Sequence, residues 1–255
     1  MILLSPAKKI QNAKPSVPLT PSKARFDDKR AYLVELLKAR SQAELKALFG
    51  VSDAIAALNY ERYRDFSAFF DKDKEAAPAV FLFAGDAYKS LQADTLDAAT
   101  LNYAQDHLRI LSGLYGCLRP LDLIAPYRLE MGTKINQYMS GNLYDYWQDT
   151  LTQALADDIK KNQAKAVFNL ASIEYAKAID FKKLPVPVYD IAFKQRRDGA
   201  LKTIGILAKR ARGALSRQIL RHKIAMREDL VALTLEGYQY DSALSRTNNI
   251  VFVGD

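Results

Sequence analysis

Four short segments carry polar groups whose types suit joint chemistry. They are Ser5-Pro6-Ala7-Lys8, Gly85-Asp86-Ala87-Tyr88, Tyr127-Arg128-Leu129-Glu130, and a stretch holding Asn169, Ser172, Glu174 and Tyr175. Strand ends are where α/β sheets place their sites, and three of the four adjoin short apolar runs. Brought together, Lys8, Asp86, Arg128, Glu130, Asn169 and Glu174 would line a pocket for a small anionic ligand, with carboxylates at hand for acid–base work. The competing reading is a set of mutually satisfied ion pairs and caps. No catalytic role is assigned to any of them.

Residues 108–132 read LRILSGLYGCLRPLDLIAPYRLEMG. An apolar run of expected helix leads into a Gly hairpin, Ser112-Gly113-Leu114-Tyr115-Gly116, with Arg119 just beyond. Backbone N–H groups released at a Gly turn and a helix start can point at an anion. This makes Ser112, Gly113, Leu114, Tyr115, Gly116 and Arg119 a candidate phosphate cradle. The blander reading has Gly113 and Gly116 merely ending a helix, with Leu111, Leu114 and Leu118 in the core.

Charge supplies a third signal. The 255-residue chain carries a net +8. Residues 194–227 hold eleven Lys and Arg against one carboxylate, Asp198, so this segment nets +10 and the other 221 residues net −2. Lys202, Lys209, Arg210, Arg212, Arg217 and Arg221 form a candidate electrostatic footprint for nucleic acid or another polyanion, the blander reading being a solvated surface. Phosphate contacts of this kind position without reading bases, so weak sequence dependence is expected. Ala211, Ala214, Leu215, Ile219 and Leu220 give the expected helix 209–223 one packing face. An anionic membrane is a poorer partner for it, because large aromatic anchors are lacking.

Several classes are disfavoured. There is no Walker loop, no Gly-x-Gly-x-x-Gly fingerprint and no Gly-x-Ser-x-Gly elbow. The imidazoles are His107 and His222, and the lone Cys117 has no partner at zinc spacing. No cofactor or metal is expected; a carboxylate-only site is the one metal option left open. A single cysteine forbids an internal disulfide and fits a cytoplasmic location. No run reaches the ~20 apolar residues of a membrane helix.

The positioning elements follow from patterning. Residues 1–4 and 79–84 read as buried strands, as does 166–170. Pro15, Pro18 and Pro21 keep the loop after the first strand irregular. Helices are expected over 27–39, after the Ser41-x-x-Glu44 capping box with Gly50 at its end, and over 52–65. Asp94 or Asp97 caps the helix leading into residue 108, and Asn142 caps a long helix over 143–160. Asp198-Gly199 signals a hairpin between 186–194 and 200–208. Short strands near 237–240 and 250–253 end the chain. A single α/β or α+β domain over 1–255, a mixed sheet with surrounding helices, is the expected class.

The motifs Ile2-Leu3-Leu4-Ser5-Pro6-Ala7-Lys8, Gly85-Asp86-Ala87-Tyr88 and residues 107–132 have a joint meaning. So do Tyr144-x-Tyr146-Trp147, Asn-Leu-Ala-Ser-x-Glu-Tyr at 169–175 and Ala-Lys-Arg-Ala-Arg-Gly at 208–213. Through them the chain resembles the bacterial YaaA family of peroxide-stress proteins over nearly its whole length. The resemblance implies a cytoplasmic, DNA-binding protein of the hydrogen-peroxide response that limits free intracellular iron. It also implies an unusual α/β fold with a helix-hairpin-helix element and a positively charged cleft. Residues 111–116 are the best match to that element's hairpin, although Pro120 interrupts the helix that should follow. The family brings no settled reaction, so Asp86, Arg128, Glu130 and Glu174 carry over without assigned roles. The alternative function is an enzyme or small-ligand binder using the strand-end residues.

Overall fold

A computed structural model describes residues 1–11, 17–66, 76–197 and 199–255. Pro15 and Asp198, used above as loop and hairpin signals, lie outside them. The chain opens with β1 (Ile2–Leu4), all three residues buried, and β2 (Ser22–Lys23). Helices α1 (Asp27–Lys38), α2 (Gln42–Phe49) and α3 (Asp53–Arg64) follow. The capping box at α2 is formed as expected. Ser41 Oγ accepts from the Glu44 N–H, and the Glu44 carboxylate accepts from the Ser41 N–H at 2.8 Å. Gly50 then turns the chain at φ +59°, a conformation that disfavours any Cβ. The result is a helical hairpin in which α2 and α3 pack on each other.

Next come β3 (Ala77–Pro78), α4 (Ala79–Leu82), α5 (Asp86–Leu91) and α6 (Ala98–His107). The expected strand 79–84 is thus corrected to a helical turn, with the Phe83 N–H on the Ala79 carbonyl. An apolar run buried all round has no period to separate helix from strand. Asp97 caps α6, accepting from the Thr100 N–H at 2.7 Å. The expected helix beginning at residue 108 is also corrected. Leu108–Ser112 is strand β4, which turns into β5 (Gly116–Leu118) and continues to β6 (Asp122–Ile124). The Gly hairpin is therefore a β-hairpin, and no helix-hairpin-helix element forms there.

The rest of the chain comprises α7 (Leu143–Lys161), β7 (Val167–Asn169), α8 (Ile173–Ala176), β8 (Val188–Arg197) and β9 (Ala200–Lys202). It ends with α9 (Gly205–His222), α10 (Arg227–Val231), β10 (Gln239–Tyr240) and β11 (Asn249–Gly254). Asn142 caps α7 as expected. Helix α9 begins four residues earlier than its cationic run, which shortens the strand expected over 200–208 to β9.

The main sheet is mixed, in the order β10-β11-β8-β7-β1-β4-β5, with β9 paired to β8. Its five central strands are parallel, and its outer pairings, with the β8–β9 hairpin, are antiparallel. A small second sheet runs β2-β6-β3. One contiguous apolar core joins both, from Met1 to Phe252. Among the described residues no helix is long and apolar enough to cross a membrane.

A charged network lies within this core. The Arg109 side chain, buried on β4, donates from Nε to Asp158 Oδ2 of α7 at 2.6 Å and from Nη1 to the Gln105 and Leu108 carbonyls. Arg25 reaches the same Asp158 oxygen at 3.0 Å. Burial alone would raise the Asp158 carboxyl; the hydrogen bond and charge of Arg109, helped by Arg25, outweigh it and hold the group below its ordinary value. Such a group stabilises the fold above its unfolded pKa, and that contribution disappears as pH falls through the lowered folded value. Asp158→Asn should cost about 3–5 kcal/mol in urea denaturation, because Arg109 stays buried without its counter-charge. It should also flatten the loss of stability expected of the wild type below about pH 4. An unchanged midpoint and an unchanged acid limb would contradict this.

Candidate ligand pocket at the strand ends

β1 and β7 run side by side and end together. The segments leaving them are tied across the gap. The Ser172 N–H donates to Ser5 Oγ at 2.8 Å, the two serine hydroxyls lie 3.3 Å apart, and the Tyr88 hydroxyl donates to the Ser5 carbonyl at 2.9 Å. Glu174 accepts from the Gly132 N–H at 2.9 Å, which brings in the loop after β6.

These ties enclose a pocket of about 430 Å³. Five of the six residues expected there, Lys8, Asp86, Arg128, Glu130 and Glu174, line it together. Asn169 is the exception and is corrected. Its amide donates to Asp190 Oδ1 at 2.6 Å and its oxygen accepts from the Ala171 N–H, so it fastens β7 to β8 and finishes the turn beyond. Helix α9 supplies two further walls, Lys209 and Arg212, one turn apart on the face toward the pocket. Both were expected only as DNA contacts. Tyr88, Tyr127 and Tyr175 also line it.

The charges are partly spent and partly open. Lys8 Nζ lies 2.8 Å from Glu130 Oε2, and Arg128 Nη2 lies 3.3 Å from the other Glu130 oxygen. Arg210, outside the pocket, reaches Asp86 at 3.7 Å. The Nε groups of Arg128 and Arg212 are buried and have no hydrogen-bond partner among the described residues. Burial also lowers the Arg212 pKa, so a counter-anion there would be stabilising. Burial is the main cause that pushes the phenols of Tyr88, Tyr127 and Tyr175 up, so they stay protonated at neutral pH. The arrangement can hold an anion on Arg128, Arg212 and Lys209 while Glu130, Glu174 and Asp86 accept hydrogen bonds or protons. An open trough of about 830 Å³ adjoins it across Lys8, Glu130 and Glu174 and extends to Gly50 and Lys134.

The expected phosphate cradle is corrected in detail. Ser112, Gly113, Leu114, Tyr115 and Gly116 are all buried. The Leu114 and Tyr115 N–H groups donate to Ser112 Oγ, the Ser112 hydroxyl meets Tyr127 Oη at 2.7 Å, and the Trp147 indole donates to the Gly113 carbonyl at 2.9 Å. The turn thus offers its donors to its own side chains rather than to solvent. Arg119 spends its fork on Asp122 and the Lys23 carbonyl. Arg217 donates to the Leu91 and Gln92 carbonyls, closing the C-terminus of α5. Lys202, Lys209, Arg210 and Arg221 are exposed, as a polyanion surface requires.

Two kinds of comparison bear on this arrangement. The family model described as peroxide stress protein YaaA matches residues 1–244. A protein of Hahella chejuensis named UPF0246 protein is 42% identical over 255 residues, covering 100% of this chain and 99% of its own. UPF0246 proteins of Bordetella pertussis and Legionella pneumophila are 43% and 39% identical, each covering 99% of this chain and 98% of their own.

The pocket's cationic wall depends on how closely α9 approaches α5. Gly213 packs directly on the Ala87 backbone, and a Cβ there would run into the Ala87 carbonyl. Gly213→Ala should therefore destabilise the protein by about 1–3 kcal/mol in urea titration, as overpacking does. It should also displace Arg212 and Lys209 from the pocket wall. Full stability in that titration would contradict this packing argument.

Proposed function

The chain belongs to the peroxide stress protein YaaA family, and on that premise we propose that it serves the peroxide response by binding a small anionic ligand at the strand-end pocket. The observation carrying this reading is the convergence of Lys8, Arg128, Lys209 and Arg212 on one cavity, two of them with buried guanidinium Nε groups lacking acceptors. The family role alone names no ligand; the pocket's charge supplies its sign.

DNA binding is the second reading. It is favoured by the exposed cations Lys209, Arg210 and Arg221 along α9, with Lys202 on the neighbouring β9. A helical hairpin is also available, in α2–Gly50–α3 rather than at residues 111–116. The Ser52 side chain makes no cap bond at the start of α3, whose first turn carries Asp53 paired with Lys46. The same reading includes a lowering of free iron. Anaerobic calorimetry with ferrous iron separates uptake by this chain from an effect routed through another partner.

Two measurements test these readings. In calorimetry with inorganic phosphate, Arg212→Gln should weaken binding by roughly tenfold to a hundredfold, the worth of a charge-assisted contact. Lys161→Gln, at the exposed end of α7, should leave it unchanged. Equal affinity in both variants would remove the pocket reading. For DNA, log K should fall by ~0.9 per phosphate neutralised as log salt rises. Replacing Lys209, Arg210 and Arg221 with Gln should reduce that slope by about three such contacts. A slope that survives the triple change would remove α9 as the footprint.

A further inference from the structure

The pocket is divided chemically into three parts. The side chains of Tyr88, Tyr127 and Tyr175 form one part. The hydroxyls of Tyr88 and Tyr127 are already engaged, with the Ser5 carbonyl and the Ser112 hydroxyl. What they offer a ligand is therefore flat apolar surface, suited to a planar ring. The second part is cationic: Arg212 and Lys209 on α9, with the acceptor-less Arg128 Nε. The third is acidic. Glu130 and Glu174 stand where the pocket meets the outer trough, and a carboxylate accepts from N–H donors.

A ligand that satisfies all three needs a planar ring, an anion at one end, and N–H donors on the ring's far edge. Simple phosphate meets one requirement, a sugar phosphate meets one, and a dicarboxylate is repelled by the acidic end. We propose that the pocket is a nucleotide site. It takes a nucleoside monophosphate unit whose base carries an exocyclic amine, with phosphate on Arg212, Lys209 and Arg128, the base against the tyrosine rings, and the amine edge toward Glu130 and Glu174. The enclosed volume of about 430 Å³ falls in the ordinary range for pockets holding ligands of this size. Lys8, exposed on its own side yet paired with Glu130, sits at the boundary through which the unit enters. This inference rests on the anion-pocket reading above and specifies its ligand.

Calorimetry on the full chain separates the two. Inorganic phosphate, ribose 5-phosphate, uridine monophosphate, cytidine monophosphate and adenosine monophosphate are titrated in turn. The adenosine and cytidine nucleotides should bind about tenfold or more tighter than ribose 5-phosphate, the lower end of what stacking one base on aromatic surface provides. They should also exceed uridine monophosphate, which lacks the exocyclic amine. Glu174→Gln keeps an acceptor for the Gly132 N–H and so preserves the loop; it should narrow the gap between cytidine and uridine nucleotides without changing ribose 5-phosphate. Ribose 5-phosphate binding as tightly as all three nucleotides would overturn the nucleotide site and leave the anion pocket standing. No binding of any of the five, in protein whose thermal unfolding is normal, would overturn both.

Discussion

Parallel strands end together, and the groups at their shared end must be satisfied by the segments that leave them. The site depends on how this chain meets that constraint at β1 and β7. The Ser172 amide and the Tyr88 hydroxyl both converge on Ser5, one on its side chain and the other on its carbonyl. One serine thus gathers three segments that are remote in sequence. Once they are joined, Lys8, Asp86 and Glu174 have no course but to face a common space, and Glu174 in turn holds Gly132 and the Arg128–Glu130 stretch. The pocket is a by-product of backbone satisfaction at the end of a sheet.

The cationic side has a different origin. It is delivered by helix packing, through the close contact of α9 on α5 that Gly213 permits. Arg217 reinforces the same contact by closing the C-terminal carbonyls of α5. A basic helix is therefore fixed by some of its own arginines so that others can be presented. The +10 segment has at least three separate employments: helix capping, pocket lining and exposed surface.

Much of the fold was legible in the residues. Caps named by local chemistry, at Ser41 and Asn142, stand where they are expected, and Asp97 is the one of two candidates that caps α6, because each depends on neighbours within three positions. The apolar runs at 79–84 and 108–112 suggest a strand and a helix, and the structure has a helical turn in the first and a strand in the second. Both are buried on all sides, so neither shows a period, and only the pairing of β4 with β1 decides the second. The strand-end grouping was legible because strand ends share an address in α/β folds. Asn169 shared that address and still failed as a site residue, since its side chain was needed by β8 and the following turn. The roles of Lys209 and Arg212 were out of reach, because charge clustering says nothing about which face a helix turns inward.

The ends of the main sheet have a consequence of their own. On one side the last strand is β5, three buried residues backed by α7; on the other it is β10, two residues long. Among the described residues, a strand from another molecule would find only a three-residue or a two-residue row to join on these flanks. The wide sheet is thus terminated rather than merely ended, and the antiparallel finish on both sides makes growth by edge addition a poor route to aggregation for this member of a peroxide stress family.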